Sequence, residues 1–294
     1  MPDELTGTDA HVPWDVARAA NLANWNDRVQ IHTSGGYDLE SFRRDPSHRS
    51  QVARTDLAAL RRYLPHGVTG LDVCHLQCHI GTDTVSFARE GARVVGVDFS
   101  MPALEAAAAL AANIGVDAEW VHTDVLDARA AVTEQLGADR AFDLVYTSIG
   151  TIGWLNDLDL WAAQIAGLLR PGGLFYIRDG HPAMYGLDEN REELVTAYRY
   201  FNTGLAQVWD EEESYAGEGT LANTRTYEFP HPFSELLPAV MGAGLEIVDF
   251  DEGKTLPWRF SEYMVEREDG DFELPAHQRE LMPLTFTLVA RRRP

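Results

Sequence analysis

Only two of the 294 residues are cysteines, and only one, Lys254, is a lysine. Cys74 and Cys78 are too few and too close in sequence to build a disulfide framework, which points to a reducing compartment. Positive charge is scarce. Lys and Arg number 24 against 46 Asp and Glu, a formal net charge of −22. A surface that negative repels phosphate backbones and anionic lipid, so neither nucleic acid nor a membrane surface is expected as a partner. Long apolar runs are missing too; the most apolar helical stretch, "ALEAAAALAA" (103–112), is too short to span a bilayer. The polar, acidic start "MPDELTGTDA" does not read as a signal peptide. Internal repeats and low-complexity tracts are lacking. Together these absences predict a soluble, cytoplasmic protein, with the oligomeric state open.

Hydrophobic residues make up 45% of the chain, enough for a sizeable core. From about residue 70 apolar, β-branched runs alternate with amphipathic helical stretches. "LDVCHL" (71–76), "RVVGVDF" (93–99), "AEWVHTD" (118–124) and "FDLVYTS" (142–148) each precede a helix, and "LFYIRD" (174–179) follows an "RPGG" turn. This rhythm predicts an α/β fold: a Rossmann-like, mostly parallel sheet of seven strands with helices on both faces. "LEIVDF" (245–250) and "LTFTLVARR" (284–292) complete it, the last strand antiparallel. Residues 1–48 are rich in aromatics and are expected to form an N-terminal lid on a core spanning 49–294. Residues 182–232 break the rhythm and are expected to be an inserted hairpin or cap.

In such a sheet ligands bind outside the carboxyl ends of the strands. The first of these ends reads "CHLQCHIG" (74–81), the position of a cofactor loop, yet glycine is nearly missing from it. Asp98 ends the second strand, seventeen residues beyond Gly81, where an acid accepts the hydroxyls of a ribose. A bland strand-end turn residue explains Asp98 about equally well on its own.

The ordered set of loop, Asp98, Asp124 and "LLRPGG" (168–173) resembles the class I S-adenosylmethionine-dependent methyltransferases, over roughly residues 50–180 plus the closing strands. The resemblance implies that Asp98, with Phe99 beside it, holds the cofactor ribose, and that Asp124 and the Val125 N–H hold the adenine. The family's usual first loop is an acid followed by three alternating glycines; here the matching positions are His75, Gln77, His79 and Gly81. This form is similar to that of a bacterial subgroup with an "HLQCH-G" loop. Gly81 is expected where backbone approaches the ligand and a helix begins. Thr147 completes the implied contacts to S-adenosylmethionine, whose product form is S-adenosylhomocysteine.

Two Cys and two His within six residues invite a metal reading. However, adjacent strand residues point to opposite faces, and no second ligand pair has zinc-site spacing, so no metal is expected. The methyl acceptor, a small molecule, should lie near the ends of the fourth and fifth strands. Tyr146, Thr147, Ser148, Trp154, Asp179 and His181 stand there. His181 is the expected base for the acceptor's proton, with ordering of its loop an equal alternative. Trp25, Tyr37, Tyr146, Trp154, Tyr185 and His231 are the expected acceptor contacts. Methylation on oxygen is expected first, on nitrogen or carbon next. A non-catalytic binding module and a nicotinamide oxidoreductase are the competing readings; the latter lacks its glycine fingerprint.

Overall fold

The computed structural model describes residues 7–293; the first residues of the polar start lie outside them. The chain opens with β1 (Thr8–Ala10), α1 (Trp14–Ile31), a wide turn at 32–36, α2 (Leu39–Arg44) and α3 (Gln51–Leu60). The alternating core follows: β2 (Asp72–Leu76), α4 (Thr82–Arg89), β3 (Arg93–Asp98), α5 (Met101–Asn113), β4 (Glu119–His122), α6 (Ala128–Leu136), β5 (Phe142–Thr147), α7 (Leu158–Leu168) and β6 (Leu169–Gly180). Then come β7 (Ala206–Asp210), β8 (Arg225–Glu228), α8 (Phe233–Gly242) and β9 (Leu245–Gly253). The short β10 (Thr255–Leu256), β11 (Val265–Glu266) and β12 (Phe272–Glu273) precede the closing β13 (Thr285–Arg292).

The central sheet has the order β4-β3-β2-β5-β6-β13-β9. Its first five strands are parallel, and β13 enters antiparallel between β6 and β9. Strand order therefore reverses between β2 and β5, which opens a crevice above their carboxyl ends.

Side chains alternate across the strands. Cys74, Leu76, Val95, Val97, Val145 and Phe175 pack with α6, α7 and α8. Val73, Val94, Leu144 and Tyr146 pack with α3 and α4 on the other face. Local signals support the helices. Ser100 caps α5 through the Ala103 N–H at 3.2 Å, and Asp157 caps α7 through the Leu160 N–H at 2.8 Å. Gly172, in the first residues of β6, takes φ 78°, the left-handed position a type II turn demands.

Two segments that lie far apart in sequence form one layer above the strand ends. β1, β7 and β8 make a three-stranded antiparallel sheet, and α1 is laced to β8. Asn21 donates to Tyr227 O and accepts from its N–H, each at 2.8 Å. Asn24 donates to Asn223 O at 2.7 Å, and Asp27 accepts from the Ala222 and Asn223 N–H groups at 3.0 and 2.7 Å. The expected N-terminal segment and the expected insertion thus meet. A second small sheet, β10-β12-β11, was not legible at all. Among the described residues no helix is long and apolar enough to cross a membrane.

Candidate functional site

A cavity of about 800 Å³ lies over the reversal of strand order. On the β3–β4 side its wall includes Asp98, Phe99, Asp124 and Val125, with Gln77 and His79 from the loop after β2. On the β5–β6 side it includes Trp154 and Tyr185, closed from above by Trp25, Tyr37 and His231. Eleven of the expected contact residues therefore share one cavity.

The first loop explains its missing glycines. Gln77 and His79 take φ 56° and 49°, the left-handed region that glycine favours. The backbone keeps the glycine-type path while carrying side chains, and both side chains are used. Gln77 Nε2 donates to Thr151 O at 3.0 Å, bridging the loops after β2 and β5. Among the described residues its Oε1 is buried without a donor. His79 Nε2 stands 2.7 Å from His32 Nδ1, and His32 Nε2 stands 2.8 Å from Ser214 Oγ. Burial lowers both imidazoles, His32 to about 3, so the pair is neutral and shares one proton. The Trp25 ring meets His79 edge-on at 5.1 Å and Trp154 at 5.4 Å.

Gly81 differs from expectation. It starts α4 at φ 74°, but it does not line the cavity. A Cβ there would lie 2.6 Å from the Trp120 ring and 2.7 Å from Ala107. Packing against β4 and α5 requires glycine at this position.

Asp98 is 7% exposed. Its Oδ2 accepts from the His79 N–H and its Oδ1 from the Ser100 N–H, each at 2.8 Å. Burial pushes it up to about 6 against the pull of those donors. Asp124 Oδ1 accepts from the Leu126 N–H at 2.9 Å, while its Oδ2 pairs with Arg18 from α1. Trp14, Arg18, Asn21 and Trp25, spaced by four, three and four, all line the cavity. One stripe of α1 thus forms its roof.

Five expected residues stand away from the cavity. His75 shares the face of Val73; its nitrogens lie 2.8 Å from Thr84 Oγ1 and 3.2 Å from Ser148 Oγ, and burial lowers it to about 3. It holds β2, α4 and the end of β5 together. Tyr146 points the same way and donates to Asp56 Oδ2 at 2.6 Å, beside Tyr176 and Arg178 on the same carboxylate. Thr147 is fully buried, its hydroxyl without a partner among the described residues. Gly81 is accounted for above.

His181 is the fifth. Its N–H is drawn to Leu284 O at 2.8 Å as β6 ends against the segment entering β13. The ring turns to β9, with Nε2 3.0 Å from Glu252 Oε1, while Nδ1 accepts from the Ala183 N–H at 3.1 Å. Both nitrogens are engaged outside the cavity, so the ring stands apart from where the acceptor's base is expected, in contacts that hold the loop after β6. Asp179 is likewise engaged, accepting from the N–H groups of Gly150, Thr151 and Ile152 at 2.6–3.1 Å. His231 does line the cavity, with Nε2 donating to Leu155 O at 2.7 Å.

Glu228, Gln207, Trp258 and Arg259 line the cavity outside the expected set of contacts. Trp258 is foreshadowed by the wealth of aromatics. The other three lie in short strands or loops whose sequence carries no motif. Among the described residues no group of three or more His, Cys, Asp or Glu is placed to hold a metal ion.

Residues 74–175 match the family model described as a methyltransferase domain. A ubiquinone biosynthesis O-methyltransferase of Brucella melitensis is 31% identical over 114 residues, 38% of this chain and 42% of that protein. The chain thus matches less than half the length of that relative. A crystal structure of an S-adenosylmethionine-dependent methyltransferase from Clostridium acetobutylicum superposes with a TM-score of 0.55 at 12% identity, covering 83% of this chain and 92% of that one. The 1,6-didemethyltoxoflavin-N1-methyltransferase of Burkholderia thailandensis superposes with a TM-score of 0.54 at 17% identity over 100% and 99%. Residues 74–175 thus match a methyltransferase domain, and the seven-stranded sheet with its antiparallel final strand has the fold of these solved methyltransferases.

Proposed function

We propose that the protein methylates a small molecule, on oxygen, from S-adenosylmethionine. The observation that carries this reading is the two-sided cavity: two acids at the ends of β3 and β4 on one side, aromatic rings on the other. Its volume of about 800 Å³ lies toward the upper end of ligand cavities, which run roughly 300–1,000 Å³.

The residues present fit the cofactor. Asp98, open to the cavity beyond its two backbone donors, would accept the ribose hydroxyls. Asp124 and the Val125 N–H would meet the adenine. The buried Oε1 of Gln77 is an acceptor without a donor, of the kind an ammonium group satisfies. The bound cofactor supplies an electrophilic sulfonium methyl. The chain's part is to aim the acceptor at it and to exclude water. α1 and the β7–β8 hairpin would act together as the lid, since their contacts close the roof. A small acceptor is favoured because residues of α1 and of β7 and β8 line the cavity, and the net charge of −22 disfavours nucleic acid and anionic membranes. Methylation on oxygen is supported by the likeness to the Brucella O-methyltransferase over the matched stretch. Free, buried Cys74 and Cys78 fit a cytoplasmic setting.

Calorimetry with S-adenosylhomocysteine and with NAD tests the reading. Saturable binding of the first and none of the second is expected; the reverse, or neither, would refute it.

A further inference from the structure

The acceptor side of the cavity holds one acid that no other group occupies. Gln207 on β7 and Glu228 on β8 face each other in antiparallel register, and both line the cavity. Among the described residues the Glu228 carboxylate has neither a hydrogen-bond partner nor an ion pair, and the Gln207 amide is equally free. The other acids of the wall are engaged. Asp98 holds two backbone N–H groups, Asp124 holds Arg18 and the Leu126 N–H, Asp83 takes the Ser50 hydroxyl at 2.5 Å, and Asp38 takes the Ser41 N–H at 3.3 Å.

Position supports an acceptor role. The Phe229 N–H donates to Gly153 O at 2.7 Å, which ties the end of β8 to the loop after β5. The phenol of Tyr185, in the same wall, is raised by burial first and by the charges of Asp179 and Glu228 next. Glu228 therefore stands on the β5–β6 side, opposite Asp98 and Asp124. Trp25, Trp154 and Tyr185 supply flat apolar walls around it.

Resting on the proposed methyl transfer, we propose that Glu228, with Gln207 beside it, receives the O–H of a planar aromatic acceptor and takes its proton. The acceptor's O–H bond breaks, its proton passing to a Glu228 oxygen. The freed electron pair forms the new oxygen–carbon bond, while the pair of the carbon–sulfur bond stays on sulfur. Burial, reinforced by Glu211 and Glu189 and opposed by Arg28, pushes Glu228 up to about 7. That brings it closer to a phenol near 10 than an ordinary glutamate near 4.3, which favours the proton transfer.

The test uses matched probes on the full chain loaded with S-adenosylhomocysteine: 2-naphthol, which carries one O–H, and 2-methoxynaphthalene, which carries none. Calorimetry should show naphthol binding about tenfold tighter, as a hydrogen bond to a charged acceptor implies. The preference should vanish in Glu228→Leu and shrink in Glu228→Gln, which also decides the matter if the leucine variant does not fold. Naphthol is a photoacid, so the wild-type complex should emit as naphtholate and the Glu228→Leu complex as naphthol. Equal affinities, failure of both probes to bind, a preference that survives in the variants, or neutral emission from the wild-type complex would overturn the proposal. Failure of wild-type protein to bind S-adenosylhomocysteine would instead overturn the methyltransferase reading beneath it.

Discussion

Replacing His79 with glycine restores the residue that the left-handed backbone at φ 49° favours, and it should nonetheless weaken the protein. Relief of the left-handed conformation returns about 1–2 kcal/mol. Against this, glycine's extra freedom in the unfolded chain costs about 0.5–1 kcal/mol. The imidazole stands 2.7 Å from His32 Nδ1, and His32 is fully buried, so its nitrogen would lose a partner at about 1–3 kcal/mol. The edge-on contact with Trp25 at 5.1 Å contributes about 0.5–1.5 kcal/mol more. The net expectation is a loss of about 2 kcal/mol, concentrated where α1 docks on the loop. Urea denaturation gives the total, and hydrogen exchange over residues 14–31 locates it. An equally or more stable His79→Gly protein with unchanged exchange would show that the loop wants glycine there and that the imidazole anchors nothing.

Cofactor affinity should rest on Asp98. In Asp98→Ala, binding of S-adenosylhomocysteine should fall about tenfold or more by calorimetry, and unchanged affinity would sink the ribose assignment. Burial raises Asp98 to about 6, so the acceptor form is lost as pH falls through 6; wild-type affinity should be about tenfold lower at pH 5 than at pH 7, a slope that Asp98→Asn should flatten. His181→Ala should cost about 1 kcal/mol of stability through its lost bond to Glu252 and leave cofactor affinity intact; a marked loss of affinity would contradict its placement outside the cavity. Arg18 is 39% exposed in its pair with Asp124, worth roughly 1 kcal/mol or less. Arg18→Gln should speed exchange in the first turns of α1 while changing affinity only a few-fold, and a collapse of the whole fold would show that the pair does more than hold the roof.

The sheet was legible because parallel strands are buried on both faces and read as apolar runs between helices. Asp98 and Asp124 were legible as acids at strand ends. Parity along the strand also carried information: His75 lies two residues from Val73 and Tyr146 two from Leu144, so both had to face α3 and α4. Other features depended on distant partners. The ring of His181 is turned by Glu252, seventy-one residues away on β9, two strands over from β6 in the sheet. The left-handed backbone at Gln77 and His79 was hidden, since positive φ is uncommon in any residue but glycine and nothing in Gln announces it. The two-residue strands β10, β11 and β12 are too short to show any period. The inward stripe of α1 mixes Trp, Arg and Asn because it faces a cavity and β8 instead of a core, so it carries no apolar face to detect.

The lacing of α1 to β8 has a consequence for synthesis. Asn21 and Tyr227 are 206 residues apart, and Asp27 and Asn223 are 196 apart. At about 5–20 residues per second, α1 leaves the ribosome roughly 10–40 s before the strand that receives it. Its polar stripe suits that wait, because a helix without an apolar face gives a crowded nascent chain little to stick to. The parallel strands β2 to β6 are made within that interval, while β13, which joins β9 to them, follows every other strand of the sheet. The cavity is therefore roofed late, when α1 meets a strand made about 200 residues after it.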